Sequence, residues 1–240
     1  ALGLQLNRGK CGVYSVGNPD AAAAFAAAQH MQHLADGMLV AGIPVGSDAY
    51  MGAFLEDKVT HLKEAILERL SDCMARKRDI AQQILWVFRL CVKPRLTLWT
   101  RTVPKHAIES HLRDADKHLL DAVFQLGRLS HLQGDTRTMA RALASLPINL
   151  GGLGFTGHLE VADAAYVASW ALTLKDTAGI LDDHDWEHSP AYAHLRSQVA
   201  QLTAARVLAD EDGTVQTWMQ EPKPKLQAKA SERIHERRAR

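Results

Sequence analysis

A chain of 240 residues is long enough for one domain and a small annex. With 47% hydrophobic and 23% charged residues it can bury a core, which excludes a chain disordered throughout. The formal net charge of +1 excludes a globally basic nucleic-acid binder, so any such signal must be local.

The N-terminal part reads as mixed structure. Cys11 to Val16 is a short strand-like run, set among Gly3, Gly9, Gly12 and Gly17. Residues 19–35 are Ala-rich, with Pro19 suited to a first helical turn. Residues 38–46, MLVAGIPVG, read as a second short strand closed by Pro44 and Gly46. Helices dominate from there. Leu55, Val59, Leu62, Ile66, Leu70 and Cys73 recur at steps of three and four, the pattern of an amphipathic helix. Asp79 can cap the next helix, whose apolar positions are Ile80, Ile84, Val87, Phe88 and Cys91, and Pro94 interrupts it. Pro104 opens a long helix through Ile108, Leu112, Ala115, Leu119, Val123 and Leu126. Asp135 caps a short helix through Leu143.

Residues 146–157, LPINLGGLGFTG, are a loop punctuated by Pro and Gly. A small-residue helix from about Val161 to Leu174 would let another helix come close, and a further helix runs from about Pro190 to Leu208. From Glu221 the chain is basic and nearly free of apolar residues, which reads as a solvated helix or a flexible tail. Cys11, Cys73 and Cys91 form no CxxC pair and no disulfide framework, which fits a reduced, intracellular setting, nucleus or cytoplasm alike. No secretory signal pattern and no run of about 18 apolar residues is present, so no membrane partner is expected.

Several segments together resemble one family. GLQLNRGKC (Gly3–Cys11) is similar to the segment after the catalytic Asp-Asp turn in reverse transcriptases of the non-LTR retrotransposon type. GIPVGSDAYMGAFL (Gly42–Leu55) is similar to the last strand of their palm and the start of the thumb helix. Leu85–Pro104 resembles the thumb, and Leu143–Trp170 resembles the module that follows it in many such proteins. The resemblance covers roughly residues 1–170 and rests on the order and spacing of these short motifs.

It implies a mainly α fold: a small β element near the N-terminus, then a helical thumb-like bundle and a further helical module. The expected division is residual palm at 1–47, thumb at 48–130, follow-on module at 131–220 and a basic flexible tail at 221–240. The family's metal-binding carboxylates fall upstream of Gly3, so the chain reads as a fragment without polymerase activity of its own. Asp182-Asp183 does not sit in a strand-turn-strand context that could replace them. No cofactor is expected on this chain, and Mg²⁺ would belong to the missing palm half. Lys10 matches the family's post-catalytic lysine, whose ammonium would stand near the leaving phosphates; the plainer reading is an exposed lysine beside a turn.

Arg89, Lys93, Arg95, Arg101 and Lys105 cluster in a stretch that also holds Trp86, Phe88 and Trp99. Such a pattern can track a phosphate backbone and stack bases; equally, the aromatics are core and the cations a solvated face. The acidic residues of the 109–121 helix would weaken any such groove. Leu150–Gly154 lacks both GxGxxG and P-loop form and reads as a tight turn. His30 with His33, and His184 with His188, have metal-ligand chemistry but no third ligand or HExxH pattern, and no metal site is assigned. The partner implied is the backbone of an RNA–DNA or DNA duplex, weakly held, or the missing polymerase half or another protein. The alternative is a helical protein-interaction scaffold that has lost its nucleic-acid contacts.

Overall fold

The computed structural model describes residues 7–15, 17–76, 80–180 and 190–239. It is mainly α-helical, with its only described strands near the N-terminus. The chain divides into two compact units, Ala1–Lys58 and Val59–Arg240. Asp79, Asp182-Asp183, His184 and His188 lie outside the described residues.

In the first unit, β1 (Gly12–Val13) pairs in parallel with β2 (Gln32–His33) across α1 (Pro19–Ala28). The Asn18 side chain accepts from Ala21 N at 3.0 Å, and Pro19 fills the first turn, where no N–H is needed. The Ala-rich helix is shorter than its composition suggests, because His30 turns the chain through a left-handed conformation, φ 56°. The expected single strand at 38–46 is instead a hairpin, β3 (Gly37–Val40) against β4 (Ile43–Gly46). Ala41 and Gly42 both have positive φ, 51° and 82°, which is the backbone a two-residue hairpin turn requires. α2 (Asp48–His61) follows.

The second unit is helical. A π-helical turn (Leu62–Leu67) leads into α3 (Glu68–Arg76). α4 (Ala81–Val87) runs through a second π turn (Phe88–Val92) into α5 (Pro94–Thr102), where Lys93 N donates to Phe88 O at 2.9 Å. Pro94 therefore does not end the helical run. The wider turn absorbs its missing N–H and its ring. The π turn also resets the buried face. In an α-helix of about 3.6 residues per turn, each four-residue step drifts about 40° around the axis. The wider turn reverses that drift, so Ile84, Phe88, Val92 and Leu96 are all buried on one side.

Val87 was expected in the core but is 38% exposed, and Cys91 is also exposed. They belong to the stripe an uninterrupted α-helix would have buried. The other core positions expected here, Ile84, Phe88, Leu112, Leu119 and Val123, are buried.

α6 (Lys105–Leu126) is the long axis of one core, in which Ala115, Leu119 and Val123 meet Ile84, Phe88 and Phe155. α7 (Gly134–Ser145) precedes the glycine loop. α8 (His158–Ile180) packs against α5, α6, α9 (Pro190–Ala204), α10 (Val215–Gln220) and α11 (Leu226–Ala239). Its buried Ala162, Ala164, Ala165, Ala168 and Ala171 are the small residues that permit such close approach. A second core forms around Trp218, whose indole donates to Asp212 O at 2.9 Å, with Leu174, Leu195 and Leu226. The basic C-terminal segment, read as a solvated helix or a flexible tail, is in its last part the helix α11, though not a fully solvated one. Leu226 and Ala230 anchor it in this core, and Arg233 pairs with Asp212 and Glu211. Two apolar residues four apart are enough to give a polar helix a buried seam.

The exposure difference between two adjacent residues is testable by urea unfolding. Phe88→Ala is expected to cost about 3–5 kcal/mol through loss of buried area and a cavity. Val87→Ala is expected to cost under about 1 kcal/mol, since a partly exposed position forms no closed cavity.

Candidate functional site

The polar centre of the second unit lies where the π turn, α6, the glycine loop and α8 meet. Asp116, on α6, accepts from the first two backbone N–H groups of α8. His158 N reaches Oδ1 at 2.9 Å and Leu159 N reaches Oδ2 at 3.0 Å. A carboxylate there satisfies orphan donors and opposes the positive end of the helix dipole. The His158 ring is 3% exposed, with Nδ1 2.8 Å from Asp116 Oδ1 and Nε2 2.8 Å from Lys93 O.

Lys93 Nζ donates to Gly154 O at 2.9 Å. Burial holds the Lys93 ammonium below its ordinary range, with Arg89 pushing the same way, while the charges of Asp116 and Glu160 oppose the fall.

The glycines in this loop have separate reasons. Gly151 and Gly154 have φ of 80° and 76°, the left-handed backbone of the tight turn expected there. Gly152 has no room for a side chain, since a Cβ would stand 2.0 Å from Leu146 O. The turn folds back on the end of α7, with Gly154 N donating to Leu146 O and Phe155 N to Ala144 O.

On the far side, Thr156 donates to Ser145 O and stands 3.5 Å from His235 Nε2 of α11. Arg238 pairs with Glu160. Burial pushes the Glu160 carboxyl up, and Arg238 offsets part of that. Burial pushes His235 down, with Lys93 and Arg238 adding to the effect. His194 is lowered too, first by burial and then by His106, whose ring lies 5.1 Å away edge-on, against the pull of Asp163.

The five cations singled out in the sequence do not form one surface. Lys93 is turned inward to Gly154, and Lys105 pairs with Asp163 at 2.9 Å. Arg89 is half-buried, its guanidinium 5.2 Å from the centre of the Trp86 ring. Arg95 and Arg101 are exposed, and neither has an ion-pair partner among the described residues. The acidic helix does reach this region, through Asp116, but as a cap for α8. Lys10 is exposed in a short 3₁₀ turn (Arg8–Lys10) of the first unit. His33 lies on β2 and His30 in the turn before it, and among the described residues no three His, Cys, Asp or Glu side chains are placed to hold a metal ion.

Sequence reading missed Asp116 and His158, which are far apart in the chain. An apolar groove of about 480 Å³ also went unread. It lies between α4, the end of α6, α7 and the glycine loop, and Leu85, Phe124, Leu129, Leu143 and Leu153 line it.

No protein-family model, curated protein or solved structure matches the chain. Among the described residues, no helix is long and apolar enough to cross a membrane.

Asp116→Ala is expected to cost about 3 kcal/mol, because it uncaps α8 and leaves the buried His158 ring without its hydrogen-bond partner. In a double-mutant cycle with His158→Ala the two are expected to couple by about 1–2 kcal/mol.

Stability is also expected to fall on mild acidification. The unfolded chain binds protons at His194 and His235 near the ordinary value of 6.5, and the folded chain resists them. The unfolded state then carries more protons, so stability drops as pH falls from 6.5 towards about 5. Glu160 acts in the opposite sense, since its folded form holds a proton above the ordinary 4.5, and it blunts the trend at the acid end. His194→Gln combined with His235→Gln flattens the profile of urea midpoint against pH.

Proposed function

We propose that this chain is a nucleic-acid-binding part of a reverse-transcriptase-like protein, derived from the thumb and the module that follows it, without polymerase activity of its own. The observation that carries the reading is that three cations of the α4–α5 run are left without carboxylate partners: Arg89 lies along the half-exposed ring of Trp86, and Arg95 and Arg101 stand in solvent, each without an ion pair among the described residues. An arginine stacked on an aromatic beside free cations suits a phosphate backbone with a base against the ring. A second support is the join between the two segments that carry the family resemblance. Lys93 of the thumb-like segment and His158 of the following one bond each other's backbone or loop, so they fold as one body.

The apolar groove favours a second reading, a helical scaffold for another protein. The two readings separate in a titration with an RNA–DNA hybrid. If Arg89, Arg95 and Arg101 each neutralise a phosphate, the log–log salt slope is expected near about −3, with affinity in the non-specific range of roughly 10⁻⁴–10⁻⁶ M. Arg89→Ala with Arg95→Ala is expected to reduce the slope towards about −1 and to weaken all sequences alike. No binding at low salt, or an unchanged slope in the double variant, would leave the scaffold reading in its place.

A further inference from the structure

A second opening in the helical unit, about 350 Å³, lies between the end of α5, the middle of α8 and the start of α11. Arg101, Lys223 and Lys225 all line it, and its lining contains no carboxylate. The cations come from two places far apart in sequence: Arg101 from the last turn of α5, Lys223 and Lys225 from the Pro-flanked segment before α11. That segment is fixed on α8 by Lys223 N donating to Ala171 O at 3.0 Å. Lys223 Nζ is 3.4 Å from Glu221 Oε2, whose side chain is 76% exposed, a long and solvent-screened pair. Arg101 and Lys225 have no carboxylate partner among the described residues. The rest of the lining is mixed: Leu172, Pro224 and Leu226 are apolar, while Gln227 and Ser231 add polar side chains. Leu172 is 46% exposed although it borders this opening.

Three like charges held together repel one another, and an anion is what would relieve them. The space is roughly ten times the share of one water molecule, about 30 Å³, so it exceeds a lone phosphate. We infer that this opening binds one nucleotide unit, its phosphate on Arg101, Lys223 and Lys225 and its sugar and base against Leu172 and Pro224. Arginine supplies the bidentate fork for phosphate oxygens, and the lysines supply point charges. The nucleotide is either free or one link of a bound strand, and the second source rests on the nucleic-acid reading above.

The test titrates the full chain by calorimetry at low salt with adenosine 5′-monophosphate, with adenosine, and with a single-stranded oligonucleotide. The monophosphate is expected to bind at least about tenfold more tightly than adenosine. Arg101→Gln with Lys225→Gln is expected to weaken it by about tenfold or more, with Arg101→Lys retaining part of the affinity. Both positions are exposed, and an unchanged circular dichroism melt verifies the fold of each variant. Equal binding of nucleotide and nucleoside, or a double variant that binds the nucleotide like the wild type, overturns the inference. If the nucleotide binds through these residues and no oligonucleotide binds, the site stands with a free nucleotide as its ligand and the nucleic-acid reading fails. If the nucleotide binds neither protein and the oligonucleotide binds the double variant with no more than the loss of the single Arg101 contact, a change of about one in the salt slope, the nucleic-acid reading stands and this site falls.

Discussion

The helical unit depends on one carboxylate. Asp116 accepts two backbone N–H groups at the start of α8 and holds the ring of His158, which in turn reaches the carbonyl of Lys93. Three elements distant in sequence, α6, α8 and the end of the π turn, are fixed by a single side chain and the histidine it holds. The His158 ring is buried and the Asp116 side chain is 13% exposed, so an unmade bond there would cost more than a made one contributes. The network acts chiefly as a positioning constraint: alternative packings of α8 would leave a buried charge or two orphan donors. Gly157 belongs to the same constraint, because a Cβ there would approach Asp116 Oδ2 to 2.9 Å.

That constraint explains why the run from α4 to α5 bulges. To bring Lys93 O to His158 and Lys93 Nζ to Gly154, the chain must pass Pro94 without breaking. The π turn does this while keeping Ile84, Phe88, Val92 and Leu96 in the core. It also decides which cations remain outside. The same turn that faces Phe88 inward leaves Trp86 half-exposed with Arg89 across it, and faces Lys93 inward. The cation pattern in the sequence therefore divides into structural members, Lys93 and Lys105, and members available to a ligand, Arg89, Arg95 and Arg101.

The long helices were legible because their periodicity is strong and their starts carry Pro, as at Pro19 and Pro104; the 134–145 helix starts instead after Gln133, and Asp135, expected to cap it, lies within its first turn. The local departures were not. Val87 was misassigned because periodicity presumes a constant turn, and nothing in FRLCVK marks a wider one except the proline that follows. The hairpin at 37–46 hid behind Ala41, an unusual residue for positive φ. In the C-terminal segment, charge outweighed Leu226 and Ala230 in the sequence, yet those two positions carry its packing. The Asp116–His158 pair spans 42 residues, and no local pattern can announce a contact at that distance.

Charge in this protein is spent twice, and the distribution argues for where a ligand can act. With a net charge of +1 there is no long-range field to gather a polyanion, so any binding must come from cations that the fold leaves unpaired. Asp121 takes both Arg137 and Arg141, Asp163 takes Lys105, and Asp212 with Glu211 takes Arg233. Acidic residues of the helical unit are thus used at the joints between helices, where they neutralise the cations that also pack there. Among the described residues, the cations without a carboxylate partner include Arg95 and Arg101 on α5 and Lys225 before α11, and Arg101 and Lys225 share an opening bordered by the exposed Leu172 and lined by no carboxylate. A polyanion meeting this surface would be held by few contacts and screened readily by salt, which is the regime of weak, sequence-tolerant binding.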